Sequence, residues 1–304
     1  MHFKKLIPAK IRKEYSLRII NKLKKNVKIL FEKNIGFEPN DDAINYYLNR
    51  ILNKEFSLNE LPKILNPKKS SYYNEAREQF NINFFERKIF SQFGEDGIID
   101  FIFSQIGTTN KFFVEFGVED GSTCNTRYLL ERKSWSGLMM DKRNNEHTQI
   151  KNEFITAENI NELFAKYNVP KYFDLLSIDI DFNDYWVWKA LTKYFPRVVV
   201  IEYNSSILPT ESKVVQYDPN GRWDGTNYFG ASILALSNLG LSKGYTLVGC
   251  SQHGVNAFFV KKELIPKHVK LKTVAELYRP AQYGMLKNGK YLGHPLSDKK
   301  MIEI

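Results

Sequence analysis

Two cysteines, Cys124 and Cys250, are all that 304 residues contain. That excludes a disulfide framework and a zinc-ligand spacing, and it suits a reducing cytoplasm. No apolar run approaches the ~18 residues that a membrane span needs. The opening MHFKKLIPAKIRKEY has no long apolar stretch after its lysines and no small-residue cleavage site, so no secretory signal is expected. There is no internal repeat, no low-complexity segment and no GxGxxG. The expected location is the cytoplasm, with peripheral attachment at the inner face of a membrane as a variant of it.

What is present supports a real core, since 43% of residues are apolar. The net charge of +10 is uneven. Residues 1–33 hold 11 Lys/Arg and two Glu, and the rest holds 33 basic and 32 acidic residues. The body is therefore nearly neutral, and the basic character belongs to an N-terminal arm. In that arm Ile11, Tyr15, Ile19, Leu23, Val27 and Leu30/Phe31 recur at helical spacing, with lysines between them. The plain reading is a helix that docks its apolar stripe and solvates its lysines. A surface helix touching an anionic membrane or partner is the sharper one, and the arm permits a homodimer. Nucleic acid is disfavoured, because aromatic interleaving is thin and no nucleic-acid motif occurs. A second helix is expected over 41–56, started by an Asp cap, and a linker over 66–71. Residues 1–88 form a helical extension and 89–304 a separate domain.

From residue 89 short β-rich runs alternate with helical stretches. The runs are KFFVEF (111–116), GLMMD (137–141), EFITA (153–157), FDLLSID (173–179), RVVVIE (197–202), YTLVGC (245–250) and NAFFVKK (256–262). Helices are expected at 122–133, 142–152, 159–167, 183–194 and 230–243. Nearly continuous apolar strands alternating with helices predict a doubly wound, Rossmann-like α/β sheet of seven strands. Five residues, 251–255, separate the last two runs, too few for a crossover helix. Those runs must form a terminal antiparallel β-hairpin. The seven-stranded plan is that of class I methyltransferases, an identification that rests on recognising that fold.

In such sheets ligands sit beyond the carboxyl ends of the strands. Strand one ends in Glu115-Phe116-Gly117-Val118-Glu119-Asp120-Gly121, where glycines permit close approach and positive φ. Glu119 fills the place of a middle glycine. Its charge opposes a pyrophosphate, but S-adenosylmethionine, with an amine, a sulfonium and no phosphate, tolerates it. Strand two ends in Asp141, 26 residues after Glu115, placed to accept from ribose hydroxyls. Strand three ends near Thr156–Asn159, where an adenine contact and helix capping by Asn159 are equally open. Strand four carries Asp179 and Asp181 on one face, with Asn183 and Asp184 beyond. Buried carboxylates there need a cation, a donor-rich substrate or a role as base. Strand five ends in Glu202-Tyr203-Asn204. Asp181, Glu202 and Asn204 could hold Mg²⁺, but mutual hydrogen bonding and substrate contact are favoured. The loop Trp223-Asp224-Gly225-Thr226-Asn227-Tyr228 suits stacking on a sugar. His253, in the hairpin turn, is the weaker candidate for a base.

Three segments together resemble the FkbM-type methyltransferases, which use S-adenosylmethionine and often modify sugars or glycan-linked groups. They are SQFGEDGI (91–98), FFVEFGVEDGSTCNTRYLLE (112–131) with WSGLMMD (135–141), and DLLSIDIDFNDYWVWKAL (174–191). The similarity covers roughly 90–262. It implies cofactor contact at Glu115, Gly117 and Asp141, with Glu119 and Asp179 alongside. Gln92, Glu95 and Asp96 would close over the site, and Asp179 and Asp181 would face the methyl group. One departure is Phe182, where such families commonly have glycine. The expected activity is methylation of a hydroxyl or amide of a carbohydrate-type acceptor, as in surface polysaccharide biosynthesis. Asp181 or Asp179 would be the general base, and Glu202, Asn204, Asn227 and Tyr228 would contact the acceptor. The rivals are an RNA methyltransferase steered by the arm, a non-catalytic subunit of a glycan pathway and, last, a dinucleotide-dependent oxidoreductase.

Overall fold

A computed structural model of the chain describes residues 9–36, 38–39, 41–66, 68, 73–143, 149–284, 286–287 and 290–304. It forms two compact units, Met1–Tyr73 and Asn74–Ile304. Residues 74–88 thus belong with the larger unit rather than with the extension.

In the smaller unit, α1 (Ala9–Ile35) packs on α2 (Asp41–Leu52) and α3 (Leu61–Leu65). Val27 and Phe31 are buried, and the Phe31 ring meets Tyr47 at 6.2 Å. Among the described side chains of the apolar stripe, Val27 and Phe31 are covered while Ile19 is 52% exposed. The side chains of Ile11 and Tyr15, and most of the 66–71 linker, lie outside the described residues. The helix expected over 41–56 stops at Leu52, where Lys54 turns at φ +62°.

The larger unit opens with α4 (Tyr73–Glu78) and α5 (Glu95–Ile106). It then alternates β1 (Phe112–Phe116), α6 (Arg127–Arg132), β2 (Ser136–Asp141), β3 (Ile150–Asn152), α7 (Ile160–Lys166), β4 (Tyr172–Ile178), α8 (Asp184–Ala190) and β5 (Phe195–Glu202). After β6 (Lys213–Val214) come α9 (Ile233–Ser242), β7 (Tyr245–Cys250), β8 (Asn256–Lys261) and α10 (Val274–Leu277). The sheet order is β3-β2-β1-β4-β5-β8-β7. β8 runs antiparallel to both β5 and β7, and the other pairs are parallel. This is the Rossmann-like α/β sheet with a terminal hairpin. Its central strands are buried on both faces, as their unbroken apolar runs require.

The third strand differs from expectation. It is Ile150–Asn152, so neither a strand at 153–157 nor a helix reaching 152 forms; residues 144–148 lie outside the described residues. The cause is local. Glu153 N makes the last rung to Asp141 O (2.9 Å). The Asn159 side chain then accepts from Thr156 N (2.8 Å) and donates to Phe154 O (2.8 Å), so an asparagine-centred turn wins over the ladder. That side chain is committed to the turn: Asn159 stands at the N-cap position of α7 but makes no side-chain bond to the helix.

After α10, β9 (Leu286–Lys287) pairs with β10 (Lys290–Tyr291), and β11 (Ile302–Glu303) pairs with β6. At the amino end of β4, buried Asp174 accepts from Thr109 N (2.8 Å), Asn110 N (3.1 Å) and Lys111 N (2.8 Å), and it pairs with Arg197 (2.9 Å). That knot ties the entry of β1 to the sheet. Among the described residues no helix is long and apolar enough to cross a membrane.

Candidate functional site

A cavity of about 410 Å³ opens at the carboxyl ends of β1, β2, β4 and β5. Its first wall follows β1. Glu115 stands opposite Ser177 and Met139 in register. Its buried carboxylate accepts from Asn125 N (2.8 Å), Thr126 N (2.9 Å) and Thr126 Oγ1 (2.5 Å). Burial pushes its pKa up despite these donors. Glu115 thus clamps the loop that leads into α6, and its side-chain bonds run into the protein. Gly117 has φ +80°, and a Cβ there would lie 1.4 Å from Asp179 O. The close approach of the β1 and β4 ends therefore requires glycine.

Asp141 ends β2 with both oxygens engaged, accepting from Glu119 N (2.9 Å) and Arg143 N (2.8 Å). The Glu119 carboxylate leans outward onto Arg143 (2.8 Å), and its backbone is left-handed at φ +53°. Asp181 is likewise left-handed, at φ +66°. Its side chain is 43% exposed at the mouth, 3.8 Å from Lys142, and burial raises its pKa. Uncommon backbone conformations of this kind cluster where a structure holds a functional geometry.

Deeper in, Asp179, Asp184 and Glu202 offer carboxylate oxygens that all lie within 4.8 Å of one another. Two full charges at that separation repel by about 3 kcal/mol at an effective dielectric of ~20. Burial, and then the neighbouring carboxylates, hold Asp179 and Glu202 well above the usual carboxylate range. Burial pushes Asp184 up to about 7. Asp184 Oδ1 accepts from Ile180 N (2.8 Å) and so fixes the turn after β4. Its Oδ2, and Glu202 Oε2, are buried without a hydrogen-bond partner.

The remaining expected residues divide into two groups. Gln92 lines the cavity. Glu95 and Asp96 lie behind it as loop holders. Glu95 accepts from Phe93 N and Gly94 N (2.9 Å each) and from Asn256 Nδ2 (3.1 Å). Asp96 accepts from Ile89, Phe90 and Ser91 N (2.8 Å each), and burial raises its pKa. Asn204 is not at the cavity. Its amide donates to Asn227 O and Phe229 O, and its oxygen serves Ser206. It therefore does not join Asp181 and Glu202 around a cation. Asn227 and Tyr228 also pack away from the cavity: Asn227 accepts from Ser297 N (2.8 Å), and the Tyr228 ring lies 5.9 Å from Phe182. Phe182 occupies the space that Gly221 leaves open, since a Cβ at Gly221 would lie 2.3 Å from its ring. His253 stacks on Phe93 at 4.5 Å.

The outer wall is aromatic. Trp223, Phe229 and Tyr283 surround His294 at ring-centroid distances of 4.6, 5.7 and 5.0 Å, and all four line the cavity. The Trp223 loop carried a sequence signal. Tyr283 and His294 sit in the tail after the hairpin and carried none. Asn256 was missed because it opens an ordinary apolar strand, yet it pairs with Glu202 in register.

Comparison of the sequence with models of known protein families, and with curated proteins, found no match to either.

Proposed function

We propose that the protein is an S-adenosylmethionine-dependent methyltransferase, with an FkbM-like site that acts on a hydroxyl or amide of a carbohydrate-type acceptor. The observation that carries this reading is the carboxyl-rich make-up of the cavity wall. Seven carboxylates (Glu115, Glu119, Asp141, Glu153, Asp179, Asp181 and Glu202) line it against Lys142 and Arg143. Such a lining opposes a pyrophosphate and suits a ligand that carries an amine and a sulfonium. The strand order, with the antiparallel β8 inserted between β5 and β7, supports the same reading. So does the size of the cavity, which falls in the range for small ligands.

S-adenosylmethionine would supply an electrophilic methyl group. Asp141, held by Glu119 N and Arg143 N, has lone pairs left for ribose hydroxyls. The Trp223–Phe229–Tyr283–His294 wall offers faces on which a sugar ring stacks. Asp181, at the mouth, would take the proton from the acceptor hydroxyl as its oxygen gains the methyl and the sulfonium departs as the neutral thioether. Holding the acceptor oxygen in line is the larger contribution, as in other reactions limited by alignment.

Calorimetric titration with S-adenosylmethionine and, separately, NAD tests this, with Asp141→Ala and Asp141→Asn as variants. Binding of the former alone, weakened about tenfold or more in Asp141→Ala, is the expected result. NAD binding, or no S-adenosylmethionine binding by protein shown to be folded, would overturn it.

A further inference from the structure

We propose that Asp179, Asp184 and Glu202 bind a hard divalent cation, of the Mg²⁺, Mn²⁺ or Ca²⁺ class, at the inner end of the cavity. The three residues come from different places in the chain: the end of β4, the first turn of α8 and the end of β5. The turn after β4 and the β4–β5 pairing together bring their oxygens within 4.8 Å. Octahedral coordination at 2.0–2.1 Å spans roughly 4 Å between opposite oxygens, and Ca²⁺ at 2.3–2.6 Å spans about 5 Å. The cluster is therefore of ion-binding size with at most small side-chain movement.

Two further observations point to a ligand. Asp184 is fully buried, and its Oδ2 has no donor; Glu202 is half-buried, and its Oε2 atom is likewise buried with no donor. Buried carboxylate oxygens are normally satisfied. The second observation lies across the sheet. Asn256 is 3% exposed, faces Glu202 in the β5–β8 register and lines the cavity. Its amide group is fixed on Glu95, which leaves Oδ1 as a second kind of buried, unpaired oxygen beside the cluster. Among the described residues none of the three carboxylates forms an ion pair with a basic side chain; the nearby Lys142 and Arg143 pair with Asp181, Glu119 and Asp141 instead. All the donors are oxygens, which selects hard divalent ions over thiophilic ones.

The inference stands apart from the methyltransferase reading, because the ion is measured without S-adenosylmethionine. The full chain, stripped with chelator, would be titrated with MnCl₂ and free Mn²⁺ followed by electron paramagnetic resonance. Bound Mn²⁺ would then be challenged with MgCl₂ and CaCl₂. One site per chain is expected, weakened at least tenfold in Glu202→Gln and in Asp184→Asn, and unchanged in Glu263→Gln on the surface. Asn can still accept from Ile180 N, and circular dichroism establishes that each variant is folded. No bound Mn²⁺ at millimolar concentration would overturn the proposal. So would weak multi-site binding that neither substitution alters. Glu202→Gln or Asp184→Asn variants that merely become more stable, with wild type unresponsive to Mn²⁺, would show that protons neutralise the cluster and would equally overturn it.

Discussion

Gly117→Ala measures how tightly β1 and β4 are brought together at the cavity. Two costs apply. The left-handed φ of +80° costs a non-glycine residue about 1–2 kcal/mol. The new Cβ would sit 1.4 Å from Asp179 O, a backbone atom that cannot swing aside. Relief requires roughly 2 Å of displacement to reach ordinary contact. That strains the bond from Asp179 N to Phe116 O (3.2 Å), which closes the β1–β4 ladder. Overpacking of this kind adds about 1–3 kcal/mol. Gly225→Ala is the internal control, with φ +85° and nothing within 4 Å of its Cβ. It carries the conformational cost without the clash. The two variants should thus differ by about 2 kcal/mol, or roughly 4–8 °C in thermal midpoint for a unit of this size. Thermal and urea unfolding of both variants provide the assay. If Gly117→Ala is as stable as Gly225→Ala, the close approach of the two strand ends is wrong, and with it the placement of Asp179.

Two further outcomes bear on the frame around the site. Asp174→Ala strands Arg197 and three backbone N–H groups at the amino end of the sheet, and should cost about 3–5 kcal/mol in urea unfolding; a loss below about 1 kcal/mol would refute the knot. Burial pushes the Tyr283 phenol up to about 12, against an ordinary value near 10. The unfolded chain ionises first as pH rises, so this group's contribution is intact below pH 10 and falls by about 2–3 kcal/mol between pH 10 and 12. The stability advantage of wild type over Tyr283→Phe should shrink across that window, and a flat difference would contradict the burial.

Glu115, Gly117, Asp141, Asp179 and Glu202 were legible as strand-end residues because period and apolar runs locate strands, and ligands gather at their carboxyl ends. The same reasoning misplaced the third strand. EFITA has strand composition, but whether a segment pairs depends on competing side-chain bonds, here those of Asn159. It also assigned Asn204 to the cavity from alternation with Glu202, and Asn227 and Tyr228 from the aromatic and polar make-up of their loop. Alternation along a strand fixes which face a residue takes only while the strand lasts, and all three lie beyond β5.

The sequence by itself determined the seven-stranded plan, the terminal hairpin and the separation of a basic helical arm from a nearly neutral body. These follow from local pattern and from the reach of a five-residue turn. Only the tertiary structure decided that Asp184 joins Asp179 and Glu202, that Asn256 stands beside them, and that Tyr283 and His294 close the aromatic wall. Asp179 and Asp184 lie close in the chain, but Glu202, Asn256, Tyr283 and His294 are distant from them. Their meeting is set by strand order and by the return of the tail, which no local pattern encodes.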